Sequence, residues 1–339
     1  MQASVIRTFG SSSELTLGDF AAPQARPGST IVDLRAAALN WHDVLVRQGR
    51  YKSPLPHVLG ADGAGVIAGS NDEVIILPSL QWGDSQSAPG PRWEILGDHR
   101  PGTYAQRVSV PTSCIFPKPA GLSWHEAAAL PLVGLTTYRA LFSRARLRAT
   151  ESLLVLGAGG GVATMAVSLG VAAVASVFVT SSTPDKIERA KASGATDGVL
   201  YTDPDWADAA KKQSPASAGF DVVLDTVGTW EQSIRALKPG GRLVVLGASR
   251  SQFAPLDVRE FYFGQYDLLG TTMGSEHDFR GLLDFMSAAA VAPPLIDRVF
   301  DLSEAAAAHE YLESGDAFGK IVLDIDPDTE DPDTEEGTL

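Results

Sequence analysis

The sequence predicts an α/β protein in which a β-rich opening third leads into a doubly wound parallel sheet. Three observations carry that prediction. Residues 152–184 contain no charged residue. From Leu153 to Leu246, apolar strand-like runs alternate with helix-like segments. The first 120 residues hold short apolar runs separated by clusters of Gly, Pro, Ser and Asp. Alternation of strand and helix builds a parallel sheet covered on both faces, and short runs broken by turn residues build a small barrel.

Taken in order, Ala3–Ile6, Ile31–Leu34, Gly65–Ala68, Val74–Leu77 and Thr103–Val110 read as barrel strands. The stretch Ser79–Pro101 is too long for a simple turn and reads as a loop that covers something or mediates a contact. Ser123-Trp-His-Glu126 is a capping box that opens a helix to Leu130; Pro131 interrupts it and Gly134–Arg148 resumes helically. The sheet strands follow as Leu153–Leu156, Ser176–Thr180, Val199–Tyr201, Phe220–Asp225 and Arg242–Leu246. Between them lie helices ending near Gly170 and spanning Asp185–Ser193, Trp206–Lys212 and Trp230–Leu237. After about residue 258 come Leu268–Thr272, a helix Phe279–Ala290, Val299–Phe300, a helix Ser303–Glu313 and Lys320–Ile325.

The uncharged stretch is the most informative. Its hydropathy alone flags a membrane helix, but Gly159-Gly160-Gly161 lie inside it and β-branched residues gather at its ends. That pattern fits a buried strand, a glycine turn, a small-residue helix and a second buried strand. Glycines let a backbone approach a ligand, and a helix start offers free N–H groups to a pyrophosphate, so the turn reads as a dinucleotide site. Gly157 and Gly159 fill the first two places of G-x-G-x-x-G, while Val162 fills the third, where glycine normally allows helix and strand to pack closely. A purely structural turn is the alternative. The second strand ends in Thr180-Ser181-Ser182, with no acid before Asp185 and with Lys186 and Arg189 following. Hydroxyls and a cation suit a 2′-phosphate, whereas an acid would hold a 2′-hydroxyl, so the site reads as NADPH over NADH. The serines are equally suited to cap the next helix, and both roles are compatible.

A chain of 339 residues, 44% hydrophobic and 20% charged, describes a globular protein of two domains. No apolar segment follows a basic start, so no secretion signal is read. The single cysteine, Cys114, excludes a disulfide framework and a multi-cysteine zinc site, fits a reducing cytoplasm, and reads as a small apolar strand residue. Half of the net charge of −14 comes from the tail Asp326–Leu339, whose seven acids and no base predict disorder. An acidic body without basic runs argues against nucleic acid and anionic membranes as partners.

Ordered motifs along the chain give it a family likeness: Leu39-Asn-Trp-His-Asp43, Leu59-Gly-Ala-Asp-Gly-Ala-Gly65, Gly102-Thr-Tyr-Ala105, Gly134-Leu-Thr-Thr-Tyr138, Gly157-Ala-Gly-Gly-Gly-Val-Ala-Thr164, Asp225-Thr-Val-Gly228, Lys238-Pro-Gly-Gly-Arg-Leu-Val-Val-Leu-Gly247 and Phe318-Gly-Lys-Ile-Val-Leu323. On these, residues 1–325 resemble the medium-chain dehydrogenase/reductase superfamily, nearest its zinc-independent, quinone-oxidoreductase-like branch. The resemblance implies a GroES-like catalytic domain over 1–121, a Rossmann cofactor domain over 122–258, a return to the catalytic domain over 259–325, and the tail. It implies that Gly157, Gly159, Gly160, Gly161, Val162, Ala163 and Thr164 hold the pyrophosphate and that Ser181, Ser182, Lys186 and Tyr201 surround the 2′-phosphate. Thr226, Val227, Gly228, Gly247, Ala248 and Ser249 would line the path to the nicotinamide, with Thr136 approaching the cofactor. A homodimer is also implied.

The chain departs from the zinc members of that superfamily. Asn40, Ala61 and Leu132 stand where the catalytic metal's ligands belong; alanine and leucine cannot ligate, and asparagine alone binds Zn²⁺ poorly. No zinc is expected. The polar residues matching the family's cleft positions are Asn40, His42, Asp43, Tyr51 and Asp62. Asn40 is a candidate hydrogen-bond donor to a substrate oxygen and His42 a candidate proton donor, although an ordinary loop histidine fits as well. Asp43 and Asp62 read as structural, bonding backbone or an arginine. His57, His99 and His277 fall in loops, His125 in a cap and His309 in a helix, none with metal spacing. The expected activity is NADPH-dependent reduction of quinones or α,β-unsaturated carbonyls, with a zinc-independent alcohol dehydrogenase or a non-catalytic NADPH-binding module as alternatives.

Overall fold

A computed structural model describes residues 1–248 and 252–325. The acidic tail 326–339 and Ser249 of the nicotinamide path lie outside the described residues. The chain divides into two compact units, Met1–Val133 with Gly274–Arg280 and residues from Pro293 onward, and Gly134–Met273 with Gly281–Ala292.

The second unit contains a six-stranded parallel sheet. Its order in space is Asp197–Leu200, Ser176–Ser181, Ser152–Val155, Phe220–Asp225, Leu237–Val245, Asp267–Gly270. The strand Ser152–Val155 is central, and chain order reverses direction beside it, which opens a crevice at the carboxyl ends of the strands. Its four residues are all buried, as a strand covered on both faces requires. One layer of core joins Leu154, Phe178, Trp206, Phe220, Val223, Ile234 and Leu243. Two expectations change here. The fifth strand begins at Leu237 and takes Pro239-Gly240-Gly241 into itself, and the third ends at Leu200, leaving Tyr201 in the following turn.

The first unit is β-rich. One sheet runs Ile115–Pro117, Glu73–Ile76, Asp62–Ile67, Ser29–Ala38, Lys320–Asp324, Ile296–Asp301, with Arg107–Pro111 also paired to Ser29–Ala38. The strand expected over Thr103–Val110 therefore begins only at Arg107, because residues 102–104 lie instead against the backbone of residues 58–60. The capping box is real: Ser123 Oγ accepts the Glu126 amide at 3.2 Å and the Glu126 carboxylate accepts the Ser123 amide at 2.9 Å. Pro131 is the first residue of a new helix, Pro131–Tyr138, which continues as a π-helix over Arg139–Arg144. A proline at a helix start loses no hydrogen bond, so it divides two helices without disturbing either.

Two short helices have no counterpart in the sequence reading, Trp41–Arg47 and Val258–Phe263. The helix expected over Phe279–Ala290 runs Glu276–Ala289, which puts His277 in its first turn rather than a loop. His57 likewise sits in a two-residue strand, His57–Val58, and Cys114 ends a short 3-10 turn rather than lying in a strand. No helix among the described residues is long and apolar enough to cross a membrane.

Candidate active site

In the second unit the residues expected to meet a nucleotide lie in loops at the carboxyl ends of adjacent strands. After Ser152–Val155 the chain turns at Gly157, whose φ of +83° suits only glycine. Gly160 has ordinary dihedrals, and a Cβ added to it would meet nothing within 4 Å. Nothing in the fold requires glycine there; the bare backbone faces open space, which is what an approaching pyrophosphate needs. Gly160 is also the N-cap of the 12-residue helix Gly161–Ala172, and no side chain caps that helix start. Its first-turn N–H groups therefore remain available to an anion, reinforced by the helix dipole. The residues present fit a dinucleotide pyrophosphate.

Val162 at the third fingerprint place is half-buried, and Ala163 is buried. The close helix–strand approach occurs two turns later. A Cβ on Gly170 would meet Val177 Cγ2 at 2.8 Å and Leu153 Cδ2 at 3.2 Å. Two residues outside the motif also hold the turn: Thr180 Oγ1 accepts the Gly157 amide at 3.0 Å, and Thr137 Oγ1 donates to the Val162 carbonyl at 3.5 Å. Thr136 is buried with its hydroxyl on Met273 Sδ at 3.7 Å.

The second strand ends at Ser181, which is buried and whose Oγ accepts the Thr183 amide at 3.2 Å. Thr183, not a serine, caps the helix Pro184–Ala192. Ser182 is exposed and makes no hydrogen bond among the described residues. Tyr201 is exposed beside it, its amide donating to the Ser181 carbonyl at 2.9 Å, and Lys186 is half-buried in the first turn of the helix. On the other side of the central strand, buried Asp225 accepts the amides of Val227, Gly228 and Thr229 at 2.7, 2.8 and 3.0 Å and the Ser233 hydroxyl at 3.1 Å. That carboxylate shapes the loop 226–228. A Cβ on Gly247 would meet the Thr226 carbonyl oxygen at 2.4 Å, so glycine there lets the two neighbouring loops touch, with Ala248 exposed beyond.

In the first unit, Asn40 caps the helix Trp41–Arg47, and its environment is a buried cluster. Asn40 Nδ2 donates to Asp62 Oδ2 at 2.9 Å and to the Ala38 carbonyl at 3.4 Å. Lys320 Nζ donates to Asn40 Oδ1 at 2.6 Å, the Leu39 carbonyl at 2.7 Å and Asp62 Oδ2 at 3.0 Å. Asp62 Oδ1 accepts the Leu132 amide at 2.7 Å. Burial pushes the Asp62 carboxyl up, against the opposing charge of Lys320. Both amide hydrogens of Asn40 are thus taken, which corrects its candidacy as a free donor to substrate. Of the partners expected for Asp62, backbone or an arginine, it has the Leu132 amide, and the cation beside it is a lysine.

The donor chemistry of this cluster tests the fit of the catalytic zinc that the zinc members of the fold family hold. Of the three ligand places, one is alanine and one leucine, and the amide oxygen of the third already holds an ammonium. A Zn²⁺ ion there would meet a like charge, so the residues do not fit a catalytic zinc. Among the described residues no group of three or more His, Cys, Asp or Glu could hold a metal ion.

Asp43 accepts the Asn40 amide at 2.8 Å and the Tyr104 hydroxyl at 3.0 Å, and burial pushes its carboxyl up to about 6. Because arginine only donates, the order of donation behind it is set. Arg47 donates to His309 Nδ1 at 3.1 Å, His309 Nε2–H to Tyr104 at 3.3 Å, and Tyr104 to Asp43. Burial and the Arg47 charge hold His309 down at about 3.

His42 stands apart from this chain. Its Nε2 lies 2.5 Å from Asp98 Oδ1, and the Tyr51 ring packs edge-on at 4.6 Å between centroids. Asp98 comes from the long loop 79–101 and escaped sequence reasoning entirely; no local pattern marks a lone carboxylate in irregular chain. Burial works to lower the His42 pKa, but the hydrogen bond and charge of Asp98 and the charge of Asp43 outweigh it, and the net direction is upward. Cys114 is buried with its thiol pushed up to about 11 by burial, so it is inert at neutral pH.

Comparison with known proteins places the family and the fold. Residues 26–120 match the alcohol dehydrogenase GroES-like domain and residues 193–323 the zinc-binding dehydrogenase family. A zinc-type alcohol dehydrogenase-like protein of Schizosaccharomyces pombe is 32% identical, over 91% of this chain and 94% of its own length. The 2-methylene-furan-3-one reductase of Solanum lycopersicum is also 32% identical, over 95% of this chain and 79% of its own. A solved structure of an NAD-dependent alcohol dehydrogenase superposes with a TM-score of 0.90 at 37% identity, covering 96% of this chain and all of that one.

Proposed function

The chain belongs to the medium-chain dehydrogenase/reductase superfamily, and we propose that within it the protein is an NADPH-dependent, zinc-independent reductase of quinones or α,β-unsaturated carbonyls. The observation that carries the reading is the Asn40–Lys320–Asp62 cluster, in which the only ligand-capable side chain of the three ligand places, Asn40, spends its amide oxygen on Lys320. Reversible alcohol oxidation in this setting relies on a Lewis acid to polarise the oxygen. Addition to a conjugated enone or quinone needs less, because the developing charge delocalises and is met by a proton.

NADPH, when bound, supplies the hydride and is oxidised in doing so. Gly157, Gly160 and the amides of the helix Gly161–Ala172 would bind its pyrophosphate, and Ser182, Tyr201 and Lys186 would meet the 2′-phosphate. Asp225 and Gly247 shape the two loops that would line the path to the nicotinamide, and Thr136 would approach the cofactor. In the first unit His42, partly buried beside the exposed ring of Tyr51, is a candidate acid by residue type. The names of the relatives favour the reading unequally: one reduces an exocyclic enone, another is an NAD-dependent alcohol dehydrogenase. The acid-free end at Ser181 supports NADPH against the second. We also propose a homodimer joined at the edge strand Asp267–Gly270, and a cytoplasmic location in keeping with the single buried thiol.

The test is steady oxidation of NADPH and NADH with a panel of quinones, enones, aldehydes and, in the reverse direction, alcohols. Turnover of enones or quinones with NADPH supports the reading. Activity confined to alcohols and aldehydes supports a zinc-independent alcohol dehydrogenase, and tight NADPH binding without turnover supports a binding module.

A further inference from the structure

Resting on the reading of the glycine turn as a dinucleotide site, we propose that Thr180 is a positioning residue for the cofactor: its hydroxyl presets the turn after Ser152–Val155 for the pyrophosphate. Thr180 and every residue it acts on belong to the second unit. Paired backbone between the strands Ser152–Val155 and Ser176–Ser181 ends at Val155 and Val179. Beyond that point the chain leaves the sheet and turns at Gly157, whose amide meets no backbone carbonyl among the described residues. Thr180 Oγ1 accepts it instead at 3.0 Å, so a side chain continues the ladder where the backbone cannot.

The rest of the turn is fastened in the same way. Leu156 donates its amide to the Leu224 carbonyl at 3.1 Å, and its own carbonyl accepts from Thr226 Oγ1 at 3.4 Å. At the far end the Val162 carbonyl accepts from Thr137 Oγ1 at 3.5 Å. Between these ties no side chain bonds Ala158, Gly159 or Gly160 among the described residues, and Gly160 faces open space. A turn held at both ends and bare in the middle has its amides ordered before an anion arrives, so binding does not have to order them.

Thr180 is 1% exposed and directly precedes Ser181 and Ser182, the end that would meet a 2′-phosphate. It therefore stands between two parts of the cofactor site, bonded to one and adjacent in the chain to the other. Valine in its place keeps the branched shape that a strand favours but accepts no hydrogen bond. The Gly157 amide then has no partner in the free protein, the turn relaxes toward solvent, and binding has to restore it. That cost falls on ligands carrying the pyrophosphate. A ligand with the 2′-phosphate alone is spared, because Ser181 keeps its own bonds, Oγ accepting the Thr183 amide at 3.2 Å and the carbonyl accepting the Tyr201 amide at 2.9 Å.

The test compares wild type, Thr180→Val, Thr180→Ser and Thr137→Val by calorimetric titration with NADPH, NADH and adenosine 2′-monophosphate, and by Tm. Thr180→Val binds both dinucleotides about 10-fold more weakly, while its Kd for adenosine 2′-monophosphate stays within about twofold of wild type. Thr180→Ser, which keeps the acceptor, recovers most of the dinucleotide loss. Thr137→Val, whose deleted bond is longer, shows a smaller loss with the same split, and decides the matter if Thr180→Val does not fold. Dinucleotide affinities unchanged in Thr180→Val despite a lower Tm, or adenosine 2′-monophosphate weakened as much as NADPH, make the hydroxyl purely structural and overturn this inference alone. A wild type that binds NADH and not NADPH overturns the NADPH reading, while the NADH arm still decides the role of Thr180. A wild type that binds neither dinucleotide overturns the functional reading and this inference together.

Discussion

Replacing Lys320 with methionine keeps length and apolar bulk while deleting one buried charge. Lys320 is 3% exposed and Asp62 fully buried, with 3.0 Å between Nζ and Oδ2. At an effective dielectric near 20, a unit pair at that distance interacts by about 5 kcal/mol. Part of this is returned because the ammonium no longer has to be desolvated. What remains is a carboxylate left with only the Asn40 and Leu132 N–H donors, together with unpaired oxygens on Asn40 and Leu39. Breaking one side of such a pair costs about 3–5 kcal/mol. Urea unfolding followed by tryptophan fluorescence reads it, since Trp41, Trp82, Trp93 and Trp124 all lie in the first unit. The loss is greatest at neutral pH. With Lys320 gone, the folded-state pKa of Asp62 rises further above its unfolded value, so stability returns as pH falls through it and the gap to wild type narrows in acid. Adding Asp62→Leu to Lys320→Met removes the orphaned charge and recovers a large share of the loss. A Lys320→Met variant within about 1 kcal/mol of wild type, or a gap that does not change with pH, refutes the reasoning.

Two further outcomes follow from the same geometry. Ser182→Asp puts a carboxylate at the exposed end of the second strand, where it repels a 2′-phosphate and accepts from a 2′-hydroxyl; the ratio of Kd values shifts toward NADH by roughly 100-fold or more, read by calorimetry. His309 is held at about 3, below the roughly 6.5 of an unfolded chain, so the unfolded state binds a proton that the folded state refuses. Its contribution to stability is therefore lost as pH falls between those values, partly offset by Asp43, whose folded pKa of about 6 favours folding in the same acid range. His309→Gln flattens the fall of Tm between pH 7 and 4, and an unchanged slope contradicts the assignment.

Legibility in the sequence followed the range of the interactions. The glycine turn and the acid-free end at Thr180-Ser181-Ser182 are local signals, and the structure places both at adjacent strand ends. The capping threonine at 183 and the turn-holding Thr180 were hidden because any hydroxyl in that run fits either role. Gly170 supplies the close helix–strand contact that Val162 gives up, a compensation visible only once the helix is laid on its strand. The first-unit site was legible only in part. Asn40, Asp43 and Asp62 stand in recognisable motifs, but Lys320 is 280 residues from Asn40 and Asp98 is 56 from His42. Burial and pairing over such separations leave no periodicity to read. The helix Trp41–Arg47 was missed for a related reason: at seven residues it is too short to show an amphipathic repeat.

The most direct measurement is the fate of deuterium from [4-²H]NADPH, prepared with the label on either face and offered with 2-cyclohexen-1-one. Mass spectrometry and NMR of the product locate the label. Reduction of the conjugated system puts it on the β-carbon of a saturated ketone, from one labelled face only. Deuterium on the carbinol carbon of an allylic alcohol would instead mean that the carbonyl is reduced, and would contradict the assignment of this chain as a zinc-independent enone or quinone reductase.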